Sequence, residues 1–116
     1  MKKTRKKKHK RSILQPKDGT CYLCMKLHDD NRQKLTEEHH IFYGIANRRI
    51  SEEEGFKVYL CRSHHRYSTA CDPEAIHDNP KSRKTDIFLK KVAQLEYEKT
   101  HSRAEFLSLF GRNYLL

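Results

Sequence analysis

Two ligand pairs constrain this chain more than any other feature. Cys21 and Cys24 form a C-x-x-C within "TCYLCMKL", and Cys61 and His64 form a C-x-x-H within "LCRSHH". A tight turn or the first turn of a helix can offer both members of such a pair to one ion, and zinc favours four such donors in a tetrahedron. The spacing therefore predicts a closed Cys3His structural zinc site that ties two distant segments together. Cys71 competes with His64 for the fourth position. It has no paired spacing with Cys61, so His64 is preferred and Cys71 is left as a free thiol.

A staple of this kind suits the composition. The chain has 116 residues, 35% hydrophobic and 34% charged, with no Trp. That is room for one domain with a thin core, and small domains of this sort commonly rely on a metal or on disulfides. No apolar run approaches the roughly 18 residues of a membrane span, and no apolar segment follows the basic start as in a secretory signal. The expectation is a cytoplasmic protein with no membrane partner, where cysteines serve as zinc ligands rather than disulfides.

The net charge of +10 is concentrated at one end. Positions 2–11, "KKTRKKKHKR", hold eight of the 25 Lys and Arg and no acid, whereas the remaining 17 nearly balance the 15 acids. A self-repelling block without apolar residues predicts a disordered arm, set at residues 1–18 with its linker. Its natural partner is a polyanion, because each neutralised phosphate releases counterions; Lys6, Lys7 and Lys8 stand at its centre. Residues 19–116 are then a single zinc-containing domain.

Along that domain, "LTEEHHIFY" and "FKVYL" read as strands, and "CRSHHRYSTA" reads as a helix. Ser51 with Glu54 suggests a capped helical turn between the strands. Two helices follow over about 82–111. The first carries Phe88, Val92 and Leu95 at helical spacing, with Leu89 and Ala93 widening the stripe. The second is opened by a Ser102/Glu105 capping box, closed by Gly111, and expected to bury Phe106, Leu107 and Phe110. The fold class is α+β, with a small two-stranded core over about 35–70.

Two histidine doublets remain, His39-His40 and His64-His65. Adjacent helical residues point about 100° apart, so with His64 on zinc, His65 faces elsewhere. It would meet His39 and His40 in a second cluster. In a regular strand those two point to opposite faces, so they share a site only where the strand is distorted or ends.

"EEHHIF", followed after a loop by "VYLCRSHH" with the cysteine pairs alongside, resembles the HNH, or His-Me finger, endonucleases with their ββα-metal hairpin. The middle of the chain and the ending "THSRAEFLSLFGRNYL" look like small phage- or prophage-encoded HNH proteins with a structural zinc. The resemblance implies a metal-dependent DNA endonuclease or nickase. On it, His39 and His65 match ligands to a catalytic divalent ion, Mg²⁺ or Mn²⁺, and His40 matches the general base. Asn47, the only asparagine between the doublets, stands for the motif's asparagine at a departed spacing, and His77 is a further candidate.

Hydrolysis of a phosphodiester needs an activated water and stabilised charge on phosphorus. A neutral imidazole near pKa 6.5 and an ion with open coordination positions suit those tasks. Imidazole ligands also admit softer ions such as Ni²⁺ or Zn²⁺. Arg48, Arg49, Arg62 and Arg66 flank the same elements and can contact phosphates. The alternative is a non-catalytic, zinc-stabilised nucleic-acid-binding or recombination accessory protein, with a phage or recombination protein as candidate partner.

Overall fold

The computed structural model describes residues 9–65 and 83–115. Lys6, Lys7, Lys8, Arg66, Cys71 and His77 lie outside the described residues. Among the described residues the order is α1 (Tyr22–His28), β1 (Thr36–His40), α2 (Ile45–Glu54), β2 (Lys57–Cys61), α3 (Arg62–His65), α4 (Arg83–Tyr97) and α5 (Arg103–Phe110). β1 and β2 form an antiparallel two-stranded sheet, in the register Thr36↔Cys61 through His39↔Val58 to His40↔Lys57. No helix among the described residues is long and apolar enough to cross a membrane.

The "CYLC" stretch is the opening of a helix. Cys21 is the N-cap of α1, and its sulfur accepts the backbone N–H of Cys24. This puts both thiols on the first turn. The connection between the strands is likewise helical: α2 runs from Gly44 to a left-handed C-cap at Gly55. Ser51 is therefore no N-cap. It is buried near the end of α2, where its hydroxyl donates to the Phe42 carbonyl and accepts from the Phe42 N–H. A hydroxyl that can satisfy a buried peptide on both sides is more useful there than at a solvated helix start.

A two-stranded sheet is marginal alone and must be covered. The cover is aromatic. Phe42, just past β1, and Phe56, just before β2, are fully buried with Phe106 of α5. Phe42 lies in T-shaped contact with Phe56 at 5.3 Å and stacks on Phe110 at 3.9 Å. Such pairs add about 0.5–1.5 kcal/mol beyond the area they bury. Leu89 and Ala93 of α4 complete this core, whereas Leu95 and Leu107, both expected inside, are exposed. The stripe of α4 is rotated toward Leu89, Ala93 and Tyr97, because the helix packs against the Phe cluster through that side.

The segment from His9 to Asp18, assigned from the sequence to the arm and its linker, lies along the end of α2 and β2. Lys10 N–H donates to the Glu52 carbonyl, Ile13 N–H to the Gly55 carbonyl, and Ser12 Oγ to the Lys57 carbonyl. Gln15 is buried, and its amide links the Thr20 carbonyl to the Tyr59 N–H. Gly55 permits this approach. A Cβ there would collide with the Arg11 carbonyl, and its φ of 79° already disfavours other residues.

Candidate functional site

The Cys3His group assembles from three elements. Cys21 and Cys24 come from the start of α1, Cys61 from the last residue of β2, and His64 from α3. His64 Nδ1 lies 3.5 Å from Cys21 Sγ, 3.4 Å from Cys24 Sγ and 3.3 Å from Cys61 Sγ. Cys24 and Cys61 sulfurs are 3.8 Å apart. With Zn–S near 2.3 Å and Zn–N near 2.0–2.1 Å, a tetrahedron separates two sulfurs by about 3.8 Å and a sulfur from a nitrogen by about 3.6 Å. The four donors fit that figure, and they could hold a metal ion such as zinc. Among the described residues, His64 supplies the fourth donor.

The protonation chemistry agrees. Burial pushes the Cys21 thiol up to about 12 and raises Cys24 as well. Only a bound cation makes thiolates favourable in such a place, because coordination deprotonates the thiol. Three thiolates around a dication would leave one surplus negative charge. Lys34, half-buried, donates to Cys24 Sγ at 2.9 Å and to Asp30 at 2.7 Å. Its ammonium is held strongly protonated, first by Asp30 and then by Cys24. Sequence reading missed Lys34, since nothing in "DDNRQK" separates this lysine from any other loop cation.

The two doublets divide. His64 turns to the sulfurs and His65 turns to β1, as adjacent positions on a helix require. His65 and His39 meet edge-to-face with ring centroids 5.3 Å apart, and both are buried, at 3% and 2% exposure. Glu37, two residues before His39 and so on the same face, approaches His65 Nδ1 with Oε1 at 2.9 Å. A carboxylate on one ring nitrogen is the usual means of orienting a metal-binding imidazole through the other.

His40 is elsewhere. The expected cluster of His39, His40 and His65 does not gather at one point, because β1 keeps a regular register through His40 and successive side chains alternate. His40 instead faces α2, with Nε2 2.8 Å from Glu52 Oε1. Glu52 Oε2 accepts from Lys57 Nζ at 2.6 Å and lies 3.0 Å from His9 Nδ1. Burial works against the Glu52 carboxylate, yet the hydrogen bonds from Lys57, His40 and His9 hold it at about 2. Glu38 also stands near, 3.1 Å from Lys57 and 3.7 Å from His40. Glu38, His40 and Glu52 have metal-binding donor types. The Lys57 ammonium already stands between both carboxylates, so the group reads as an ion-pair network rather than a cation site.

This network borders an open cleft of about 470 Å³ lined by His9, His40, Ile45, Arg48, Arg49, Glu52 and Glu53. Arg48 and Arg49 are exposed on α2, and Arg49 makes only a long 4.0 Å approach to Glu53. Asn47 is half-buried in the first turn of the same helix, and Arg62 is exposed at the start of α3. Thus Arg48 and Arg49 share a surface with His40, whereas Arg62 lies beside the cysteine site. Glu52 and Lys57 escaped sequence reading because their partnership crosses from a helix to a strand. The chain has no match among protein-family models, among curated proteins or among solved structures.

Proposed function

We propose that this chain is a zinc-stapled, metal-dependent endonuclease or nickase of the HNH type. It would act on DNA in the cytoplasm of a bacterial or phage-infected cell. The observation that carries the reading is the His40–Glu52 pair at 2.8 Å on a cleft walled by Arg48 and Arg49. A base and two exposed guanidinium groups on one concave surface suit a phosphodiester. The arginines bind the anionic oxygens as charged donors. His40 removes a proton from water as the water oxygen adds to phosphorus. The phosphorus–oxygen bond to the 3′ carbon's oxygen breaks, and that oxygen takes a proton from solvent. Arm cations add affinity without reading sequence.

His39 and His65 would hold a divalent ion, Mg²⁺ or Mn²⁺, which supplies charge stabilisation on the phosphate. Glu37, bonded to His65 Nδ1 at 2.9 Å, would leave Nε2 as the ring's ligand atom. β1 ends at His40, and a phosphate served by both histidine groups would lie across that end.

A second reading is favoured by one observation. His39 and His65 are almost wholly buried, and His40 sits in an ion-pair network, as structural histidines do. In that case the protein binds nucleic acid without cutting it, as a recombination accessory protein would. The deciding measurement incubates zinc-loaded protein with supercoiled plasmid in Mg²⁺, in Mn²⁺ and in EDTA, with zinc content followed in each arm. Nicking that needs the added ion supports the nuclease. Plasmid retarded on a gel but never cut in any ion would establish the second reading.

A further inference from the structure

Glu52 is the meeting point of four segments: the N-terminal stretch through His9, β1 through His40, α2 on which it stands, and β2 through Lys57. We infer that Glu52 is the positioning residue for His40, fixing the neutral imidazole with its proton on Nε2 so that Nδ1 is the basic atom. The inference deepens the nuclease reading and rests on it for the consequence in catalysis, but not for the pairing itself.

An ionised carboxylate can only accept hydrogen bonds. The Lys57 ammonium, 2.6 Å from the other carboxylate oxygen, holds Glu52 ionised, so at 2.8 Å from Glu52 Oε1 the His40 Nε2 carries the hydrogen. A neutral ring then leaves Nδ1 bare.

The carboxylate is itself immobilised. Its second oxygen accepts the ammonium of Lys57, whose side chain is only 7% exposed and which also holds Glu38 at 3.1 Å. Lys57 is the cross-strand partner of His40 in the sheet register, so the carboxylate spans a fixed pair of neighbours. The backbone carbonyl of Glu52 additionally accepts Lys10 N–H at 3.0 Å. A base oriented by a third group that is anchored from behind follows the same logic as nucleophile-activating triads, in which losing the orienting carboxylate costs up to about 10⁴ in turnover.

Two measurements test the inference. The first is nitrogen-15 NMR of histidine-labelled, zinc-loaded protein at a pH where the imidazole is neutral. Wild type should show His40 protonated at Nε2 and bare at Nδ1, and Glu52→Ala should relax it to a mixture. The second is plasmid nicking by Glu52→Gln, expected to lose about 10²-fold or more in kcat with little change in KM and a cooperative melting transition retained, and partly restored in Glu52→Asp. A wild-type His40 with its proton on Nδ1 overturns the inference, as does a Glu52→Ala protein with unchanged tautomer and undiminished kcat. If wild type shows the Nε2–H form and loses it in Glu52→Ala but cuts no DNA, the pairing stands and the nuclease reading alone falls.

Discussion

The Cys3His group and the His40–Glu52 cleft lie at opposite ends of the same two strands and are held together in different ways. At the cysteine end, four buried donors converge at the separations of a tetrahedron. At the cleft end, charged groups satisfy one another pairwise through hydrogen bonds, and the site opens to solvent. The first arrangement makes little sense without an ion, since three buried thiols gain almost nothing from each other's company. The second needs no ion to stand. Stability should therefore depend on the cysteine end, and chemistry on the cleft end.

The largest effect expected from that division is at the cysteine end. Cys21→Ser or Cys61→Ser should abolish stoichiometric zinc and collapse the cooperative melting transition, since structural zinc supplies about 10–16 kcal/mol of apparent binding free energy in small domains. Elemental analysis and calorimetry on the same sample would check this. Zinc-free wild type that still melts cooperatively would break the comparison.

At the cleft end, His40→Ala should cost about 10² to 10⁴ in cleavage rate while zinc content and melting temperature hold. Lost cleavage accompanied by lost stability would instead make His40 a structural member of the ion-pair network.

A middle-sized effect is expected at Lys34. Lys34→Met removes the cation bonded to Cys24 and should weaken zinc retention about 10- to 100-fold in a chelator competition, with DNA affinity unchanged. Removal of residues 2–8 should do the reverse. It deletes six cations, so the slope of log affinity against log salt should flatten by up to about 5, while zinc and fold persist. Deletion through Arg11 is a different experiment, because His9, Lys10 and Arg11 contact the end of α2.

The smallest effect concerns acid. Glu52 has its folded value near 2 against an ordinary glutamate value of 4.5. A depressed carboxylate stabilises the fold above the unfolded value, and that contribution is lost as pH falls through the folded one. The gap in denaturation midpoint between wild type and Glu52→Gln should be full above about 4.5 and close toward about 2. A gap independent of pH would mean that the Glu52 charge contributes nothing to stability.

Much of the fold was legible in the chain because its signals are local. The Ser102/Glu105 box and Gly111 mark α5 at the expected places, since a capping box needs only neighbours three residues apart. The alternation in "FKVYL" marks β2 for the same reason. Ser51 misled because the same side chain can cap a helix start or clamp a distant peptide, and only the position of Phe42 decides which. Leu107 misled because a helix face is set by what packs on it, and Phe106 alone of that run points fully inward.

By itself, then, the sequence determined the four thiol and imidazole donors, their pairing by spacing, the two strands and the capped terminal helix. These depend on separations of a few residues, which covalent geometry translates directly into shared turns and faces. Only the tertiary structure decided that His39 joins His65 while His40 turns to Glu52, and that Lys34 reaches Cys24. It also decided that residues 9–15 dock on α2 and β2. Each of those outcomes pairs groups whose distance in the chain carries no information about their distance in space. They are chosen by which side of a strand a residue faces and by where one buried charge finds its counterpart.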